Sequence, residues 1–310
     1  MKFIRRIGSV INAICRRSYW YKEYFFKDCT KFWSHHTFNL DVVNLGSSSA
    51  VHAFCYDDIP LKCANWALIH NPLLADEAIL KNYASYLNPQ KSVVILPLCP
   101  FSALAGSYDY FDDRYYTILY PSSIPSFSLN RLKYIDDVKR WPVKYYPAYE
   151  ILKDLGHYLS TCVKSRRSVV LTENQMLQDA EKWMYGWKKE FSINTFDDPL
   201  SLVNQDAISD AIEILNRVAS FCVERNIKPV VVVPPVYHTL GKLITDNMRQ
   251  QLIETVLSRI NNKDVKILNY IDDADFSDRR DLFENSFLLN KEGAKKFTHK
   301  VLNDVGIVYI

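Results

Sequence analysis

Glycine is scarce in this chain, which has only 8 glycines among its 310 residues. Backbone loops that cradle phosphate groups need closely spaced glycines, and neither Gly-x-Gly-x-x-Gly nor Gly-x-x-x-x-Gly-Lys occurs. The spacings Cys-x-x-Cys and His-Glu-x-x-His, which are common among zinc ligands, are absent as well. We therefore expect no cofactor and no bound metal.

The sequence also lacks long apolar runs, strong charge and paired cysteines. No stretch reaches the ~18 apolar residues that a membrane-spanning helix needs. The formal net charge of +3 is too small to indicate nucleic-acid binding. The 7 cysteines are odd in number and show no paired spacing, which argues for free thiols in a reducing compartment. We expect a cytoplasmic protein with no nucleic-acid partner.

What the sequence does contain is a regular alternation of short apolar runs with amphipathic segments. Hydrophobic residues make up 48% of the chain, which is enough to bury a sizeable core. The alternation predicts an α/β protein with a doubly wound parallel sheet. The expected strands are 42–45, 63–68, 93–98, 230–234 and 265–270. The expected helices include 76–87, 246–260, one capped by Asp206 and a closing helix capped by Asn290.

The first expected strand ends in the elbow Gly46-Ser47-Ser48, and a helical pattern follows it. In an open α/β sheet such a strand-to-helix turn lies at the carboxyl edge, where ligands bind. Glycine supplies the unusual backbone angles of the elbow, and a serine there points its hydroxyl at a substrate. Ser48 is thus a candidate nucleophile. Gly-Ser-Ser also caps ordinary helices, so a purely structural role stays open.

A second segment, Leu289-Asn290 with Gly293-Ala294, resembles the last sequence block of the SGNH (GDSL-like) hydrolase superfamily. In that block an Asp and a His complete a Ser-His-Asp triad. The likeness covers roughly residues 41–102 and 200–302 and is greatest to SGNH-like proteins of bacterial surface-polysaccharide gene clusters. It implies a three-layer, flavodoxin-like sheet of about five parallel strands.

The chain departs from the superfamily at nearly every catalytic position. By register, the family Asp falls on Asn285 and the family His on Leu288, and Ser47 replaces the Asp of Gly-Asp-Ser. Cys99 stands in the segment where the family supplies an oxyanion asparagine. The second oxyanion donor, usually a glycine, would have to be a backbone N–H in the residues from Asn65 to 69. Only the serine of the elbow remains.

The resemblance therefore implies a pseudoenzyme, a catalytically degenerate protein that acts as a binding or scaffold component in bacterial surface-polysaccharide biosynthesis. Its expected partner is a glycan or a polysaccharide-assembly protein. The alternative is an active carbohydrate O-acyl hydrolase or acyltransferase, in which a non-standard base activates Ser48. His238, just after the fourth expected strand, is the first candidate for that base. His52, one helical turn after Ser48, is another.

Two segments lie outside this pattern. Residues 1–36 form a basic, amphipathic and aromatic N-terminal segment, and residues 37–310 are expected to form one domain with an aromatic-rich insertion at 103–195. In residues 1–26 an apolar helical stripe lies between arginines, which is typical of peripheral binding at the inner face of a membrane. The alternative is that this stripe packs on the chain itself or on a partner. The insertion is interpreted as a lid or docking face, or as ordinary core and interface filling.

Overall fold

The computed structural model describes residues 37–108, 170–195 and 198–309, with single positions at 6, 7, 10, 29, 31, 32, 115, 118 and 119. The chain divides into two units, one of residues 1–36 and 110–169, the other of residues 37–109 and 170–310. Most of the expected membrane-binding segment 1–26 and residues 120–169 of the insertion lie outside the described residues. Within that segment, Ile7 and Val10 are helical and are 44% and 60% exposed.

The second unit contains one sheet of five parallel strands in the order β2-β1-β3-β4-β5. The prediction of an α/β fold with five parallel strands is confirmed. β2 is shorter than predicted and ends at Asn65, whose side chain turns away to bond the end of the first helix. The strands are β1 Val42–Asn44, β2 Cys63–Asn65, β3 Val93–Pro97, β4 Lys228–Val233 and β5 Lys266–Asn269.

The helices of this unit alternate with the strands, as the amphipathic segments predict. A π-helical turn, Gln250–Glu254, joins the short helices Asp246–Arg249 and Thr255–Ser258, and short 3-10 turns occupy Ala84–Tyr86 and Arg280–Leu282. None of the described helices is long and apolar enough to cross a membrane. The helices are α1 Ser48–Ala53, α2 Leu73–Tyr83, α3 Glu173–Glu190, α4 Leu202–Val223, α5 His238–Gly241, α6 Asp246–Arg249, α7 Thr255–Ser258, α8 Ala274–Ser277 and α9 Lys291–Val305.

Helices cover both faces of the sheet. Alternate strand residues point to opposite faces, and Val42, Ile95 and Val230 face a core that includes Phe297 and Val301 of α9. α1 packs beside α9 on this face. On the opposite face α4 packs against β4, and α2 packs against α4. Burial between two helical layers explains why β3 and β4 are continuous apolar runs.

The start of α4 differs from its predicted start. Asp206 is not the N-cap; that position belongs to Ser201, whose hydroxyl accepts a first-turn backbone N–H at 3.3 Å. The apolar pattern does not reveal this turn because Leu202 and Val203 are each 77% exposed and add nothing to the buried face of the helix.

The strand order reverses beside β1. β1 pairs with β2 on one side and with β3 on the other, so the connections that leave the carboxyl ends of β1 and β3 diverge. In open parallel sheets the crevice between two such connections is the usual ligand site. The elbow after β1 and residues 98–102 after β3 border this crevice.

Candidate functional site

The elbow between β1 and α1 depends on the backbone of Gly46. Its φ is +111°, and a Cβ at this position would lie 2.7 Å from the Cβ of Ala50. A side chain is therefore excluded on both conformational and steric grounds. The turn places Ser47 as the residue before α1 and Ser48 as its first residue.

Ser48 is half-buried, and its hydroxyl is approached by the loop that follows β2. The backbone N–H of His70 donates to Ser48 Oγ at 3.5 Å. Ser47 occupies the N-cap position, but its side chain makes no capping hydrogen bond. The elbow therefore does not use its serines as an ordinary side-chain cap.

Asn65 acts as a clamp between strands and helix. Its Nδ2 donates to the carbonyls of Ala50, Val51 and Phe54, at the end of α1, and its Oδ1 accepts from Asn44 Nδ2 at 2.9 Å. These bonds occupy the side chain. In the loop after Asn65, the backbone N–H groups of residues 66 and 68 donate to the carbonyls of residues 44 and 46. The backbone N–H that donates to Ser48 Oγ belongs to residue 70, one residue beyond the predicted stretch 65–69.

A buried carboxyl group lies directly beneath the elbow. Asp76 of α2 is 2% exposed, and its Oδ1 accepts from the Gly46 N–H at 2.9 Å and from Asn71 Nδ2 at 2.6 Å. Burial raises the pKa of Asp76 to about 7, against the effect of these two hydrogen bonds. Sequence reasoning missed this residue. The available signal was a pair of acids, Asp76 and Glu77, within the otherwise apolar run from Leu73 to Leu80.

The loop before α9 holds the two positions matched to the family's Asp and His. The Asn285 Oδ1 accepts the backbone N–H groups of Phe287 and Leu288 at 2.9 and 2.8 Å. The Leu288 carbonyl in turn accepts the N–H of Glu284 at 2.8 Å. The Asn285 side chain is thus used to shape its own loop, in the manner of an Asx turn.

The described residues leave little open space at the carboxyl edge. A cavity of about 10 Å³ remains, bordered by Ser49 of α1, Cys99, Pro234 and Phe287. That is about the room of one water molecule. Burial raises the pKa of the Cys99 thiol, and the Ser102 hydroxyl donates to its Sγ at 3.2 Å. The half-buried Cys99 thiol therefore stays protonated at neutral pH, which argues against a role as nucleophile.

Aromatic side chains of α3 and the neighbouring loops form a cluster that reaches this cavity at Phe287, and we call this group the aromatic cap. Trp187 stacks on Phe101 with ring centroids 4.2 Å apart and meets Phe287 edge-on at 5.1 Å. Asp179, also on α3, accepts the backbone N–H and the hydroxyl of Ser286 at 3.0 and 2.6 Å. The members of the cap are Phe101, Trp183, Trp187, Phe191 and Phe287.

His238, the first candidate for a substitute base, is engaged elsewhere. Its Nε2 lies 2.8 Å from Glu173 Oε1 of α3, and its Nδ1 lies 3.5 Å from Asp278 Oδ1. Tyr237 donates to the other oxygen of Glu173 at 2.6 Å, and this bond is the main cause that lowers the pKa of Glu173. Within the described contacts, the structure does not bring His238 to Ser48.

His52, one turn after Ser48 on α1, has a carboxylate behind it. Its Nδ1 lies 3.3 Å from Glu284 Oε2, and this hydrogen bond is the main cause that lowers the pKa of Glu284. Sequence reasoning did not identify Glu284, although it directly precedes Asn285. No contact between His52 and Ser48 occurs among the described residues, but helix positions four apart are neighbours on one face.

Next to this edge, an open cleft of about 580 Å³ lies beyond the carboxyl ends of β4 and β5. Its lining is mostly charged and hydroxyl-bearing. Arg249 is held by Asp272 and by the Gly241 carbonyl, whereas Lys242 and Asp246 have no ion-pair partner among the described residues. The lining includes His238, Lys242, Asp246, Arg249, Asp272, Ser277 and Asp278.

In the part of the chain that the structure describes, no group of three or more His, Cys, Asp or Glu side chains is arranged to hold a metal ion. The five described cysteines, Cys29, Cys55, Cys63, Cys99 and Cys222, are free thiols. Neither a protein-family model nor a curated protein sequence matches this chain.

Proposed function

We propose that this chain is a catalytically degenerate SGNH-hydrolase-like protein that serves as a binding or scaffold component of bacterial surface-polysaccharide biosynthesis. The strand order 2-1-3-4-5 supports a flavodoxin-like, doubly wound fold of this kind. The proposal is carried by the loop before α9, where the sequence register matches Asn285 and Leu288 to the family's Asp and His.

These two residues cannot perform the missing chemistry. A serine hydroxyl needs an adjacent base to take its proton, and the leucine side chain at position 288 accepts none. The amide of Asn285 carries no charge to stabilise an imidazolium, and it is already bonded to two backbone N–H groups. An enzyme that loses a triad member typically keeps only about 10³–10⁴-fold catalysis over water.

The small size of the cavity that the described residues leave beside the elbow also supports binding over turnover. Ligand pockets usually enclose about 300–1,000 Å³, whereas the cavity near Ser49 has about 10 Å³. The neighbouring cleft, at about 580 Å³, has the size of a ligand site. Its charged and hydroxyl-bearing lining suits the many hydroxyl groups of a sugar. We place the glycan there, with Lys242 and Asp278 as its contacts.

A fluorophosphonate probe tests the loss of catalysis. We expect the full chain to show no more labelling than Ser48→Ala, because no base activates the hydroxyl. Hydrolysis of p-nitrophenyl acetate by the two proteins should likewise be equal. Labelling that disappears in Ser48→Ala would show an activated serine and would refute the pseudoenzyme proposal.

Binding is tested separately, by calorimetric titration with oligosaccharides prepared from bacterial surface polysaccharides. Lys242→Ala and Asp278→Asn should each weaken binding about tenfold, the effect of roughly 1.4 kcal/mol. Lys263→Ala, at an exposed position outside the cleft, is the matched control and should bind as wild type does. Equal binding by the wild type and all three variants would refute the proposal that the glycan binds in this cleft.

The localisation and membrane contact expected from residues 1–26 belong to the same proposal. We place the protein in the cytoplasm, peripheral at the inner face of the membrane, where surface polysaccharides are assembled on lipid carriers. The exposure of Ile7 and Val10 supports an apolar stripe that is open to a partner.

The His52–Glu284 pair supports a second candidate function, an active carbohydrate O-acyl hydrolase or acyltransferase. In that reaction His52 Nε2 would take the Ser48 proton as Oγ attacks the ester carbonyl, and Glu284 would stabilise the imidazolium. The proton would pass to the leaving alkoxide, and water or a sugar hydroxyl would release the acyl group. Labelling that is lost in both His52→Gln and Ser48→Ala would favour this reaction.

A further inference from the structure

Asp76 is a buried acid that neither candidate function uses. It lies on α2, and the causes of its pKa shift are burial and two hydrogen bonds, with no charged side chain among them. Glu77, the next residue on α2, pairs with Arg217 of α4 at 2.7 Å and with Lys81 at 2.8 Å. His70, in the loop before α2, is exposed, and its backbone N–H donates to Ser48 Oγ.

Both hydrogen bonds to Asp76 act on segments that shape the site. The Gly46 N–H belongs to the elbow, and Asn71 belongs to the loop that carries the His70 N–H to Ser48. An ionised carboxylate accepts such bonds about twice as strongly as a neutral group does. The charge on Asp76 therefore decides how firmly the elbow and the loop are held together.

Asn71 can serve both protonation states of Asp76. It is 6% exposed, and its Oδ1 is buried without a hydrogen-bond partner among the described residues. The 2.6 Å separation from Asp76 Oδ1 is short for N–H···O and ordinary for O–H···O. With ionised Asp76 the amide donates through Nδ2. A half-turn of the amide would let Oδ1 accept a proton from neutral Asp76, because the two ends of the amide have nearly the same shape.

We infer that Asp76 and Asn71 form a proton-dependent latch beneath the elbow, and that Asp76 is the positioning residue of Gly46–Ser48. Ionised Asp76 holds the Gly46 N–H by a charge-assisted bond and fixes the elbow. Neutral Asp76 turns its proton toward Asn71 and holds Gly46 weakly. Burial raises the pKa of Asp76 to about 7, so the latch would change state near neutral pH. It would regulate the rim around Ser48 whether that rim binds or reacts, and its chemistry does not rest on the proposed function.

The test follows the Gly46 amide by NMR from pH 5.5 to 8.5. Labelling with ¹⁵N-glycine and ¹³C-carbonyl leucine selects the glycines that follow a leucine, which are Gly46, Gly156 and Gly241. Leu155→Ile and Leu240→Ile remove the other two signals and assign Gly46. We expect the Gly46 amide shift of the full chain to titrate with a midpoint near pH 7.

Three variants decide the origin of this titration. Asp76→Asn should abolish it. Asn71→Ala should move the midpoint to higher pH, since the bond that Asn71 makes to the charged form is stronger than the one it makes to the neutral form. His70→Gln removes the imidazole of the same loop and should leave the midpoint unchanged. A Gly46 signal that does not titrate, or that titrates equally in Asp76→Asn, would overturn the latch. If Asp76→Asn fails to fold, an unshifted midpoint in Asn71→Ala would overturn it instead. None of these results depends on glycan binding or on probe labelling.

Discussion

At the scale of single residues, Gly46 is the position in the elbow where a side chain is least tolerated. We expect Gly46→Ala to lower the free energy of unfolding by about 2–4 kcal/mol, because strain at positive φ adds to the clash with Ala50. Urea denaturation measures the change. Gly186→Ala is the matched control: it lies in the middle of α3 with open space around it, and alanine should stabilise the helix by about 0.5–1 kcal/mol. Equal stability of Gly46→Ala and wild type would contradict this account of the elbow.

The raised pKa of Asp76 also predicts how stability depends on pH. Between its unfolded value near 3.8 and its folded value of about 7, the folded protein keeps a proton that the unfolded chain releases. The free energy of unfolding therefore falls as the pH rises through this window, by up to about 1.4 kcal/mol per pH unit from this group. Asp76→Asn should remove this contribution, which urea denaturation at pH 5, 6, 7 and 8 measures. The same slope in both proteins would show that Asp76 does not titrate there.

Contacts between distant residues explain what sequence reasoning missed at this scale. Asp76 looks like a first-turn helix acid until the fold brings the Gly46 N–H to it. His52 was recognised as a candidate base, but its carboxylate, Glu284, arrives from the far end of the chain. Local sequence patterns indicate the secondary structure of a residue, but they do not indicate which distant residue the fold places beside it.

At the scale of elements, the start of α4 provides a direct comparison of two capping residues. Ser201→Ala should cost about 0.5–2 kcal/mol of stability, because it leaves a first-turn N–H without its acceptor. Asp206→Ala, inside the helix, should change stability by less than about 0.5 kcal/mol. Thermal or urea unfolding of the two variants measures the difference. A larger loss of stability in Asp206→Ala than in Ser201→Ala would show that Asp206 is the N-cap, as the sequence pattern indicated.

The strands and the closing helix could be predicted because burial leaves a local signal there. β3 and β4 are buried on both faces, so their residues form continuous apolar runs. The cap of α9 is equally local, since the Asn290 side chain accepts the Gly293 N–H at 3.0 Å. The end of β2 has no such local signal, because it depends on the hydrogen bonds of Asn65 to carbonyls at the end of α1, more than ten residues earlier in the chain. The aromatic cap was foreseen only as a composition, since nothing local shows that Trp187 stacks on Phe101.

At the scale of the whole molecule, residues 1–26 predict an affinity for anionic membranes. The apolar stripe that includes Ile7 and Val10 would enter the interface, and each flanking arginine would add about 1 kcal/mol near the surface. Co-sedimentation with anionic liposomes should pellet the full chain more than a chain without residues 1–26. The difference should shrink as salt rises, because salt screens the electrostatic part. Equal pelleting of the two chains would assign the stripe to packing within the protein.

The strand order also has a consequence for the order of folding. β1 pairs only with β2 and β3, and all three lie within residues 42–97, whereas β4 begins at residue 228. Closing a longer loop costs more entropy, and contacts distant in sequence slow folding. We expect the joining of β4 to β3 to limit the rate. In stopped-flow experiments Val231→Ala should slow folding, whereas Leu268→Ala in the edge strand β5 should mainly speed unfolding.

During synthesis this order leaves a vulnerable interval. The ribosome completes β3 long before it makes β4, so one edge of β3, with its run Val93–Pro97, waits without its neighbouring strand. Unpaired apolar edges recruit strands of other chains. The nascent chain is therefore most prone to aggregate between these two strands, and chaperones that hold nascent chains should matter most over that interval.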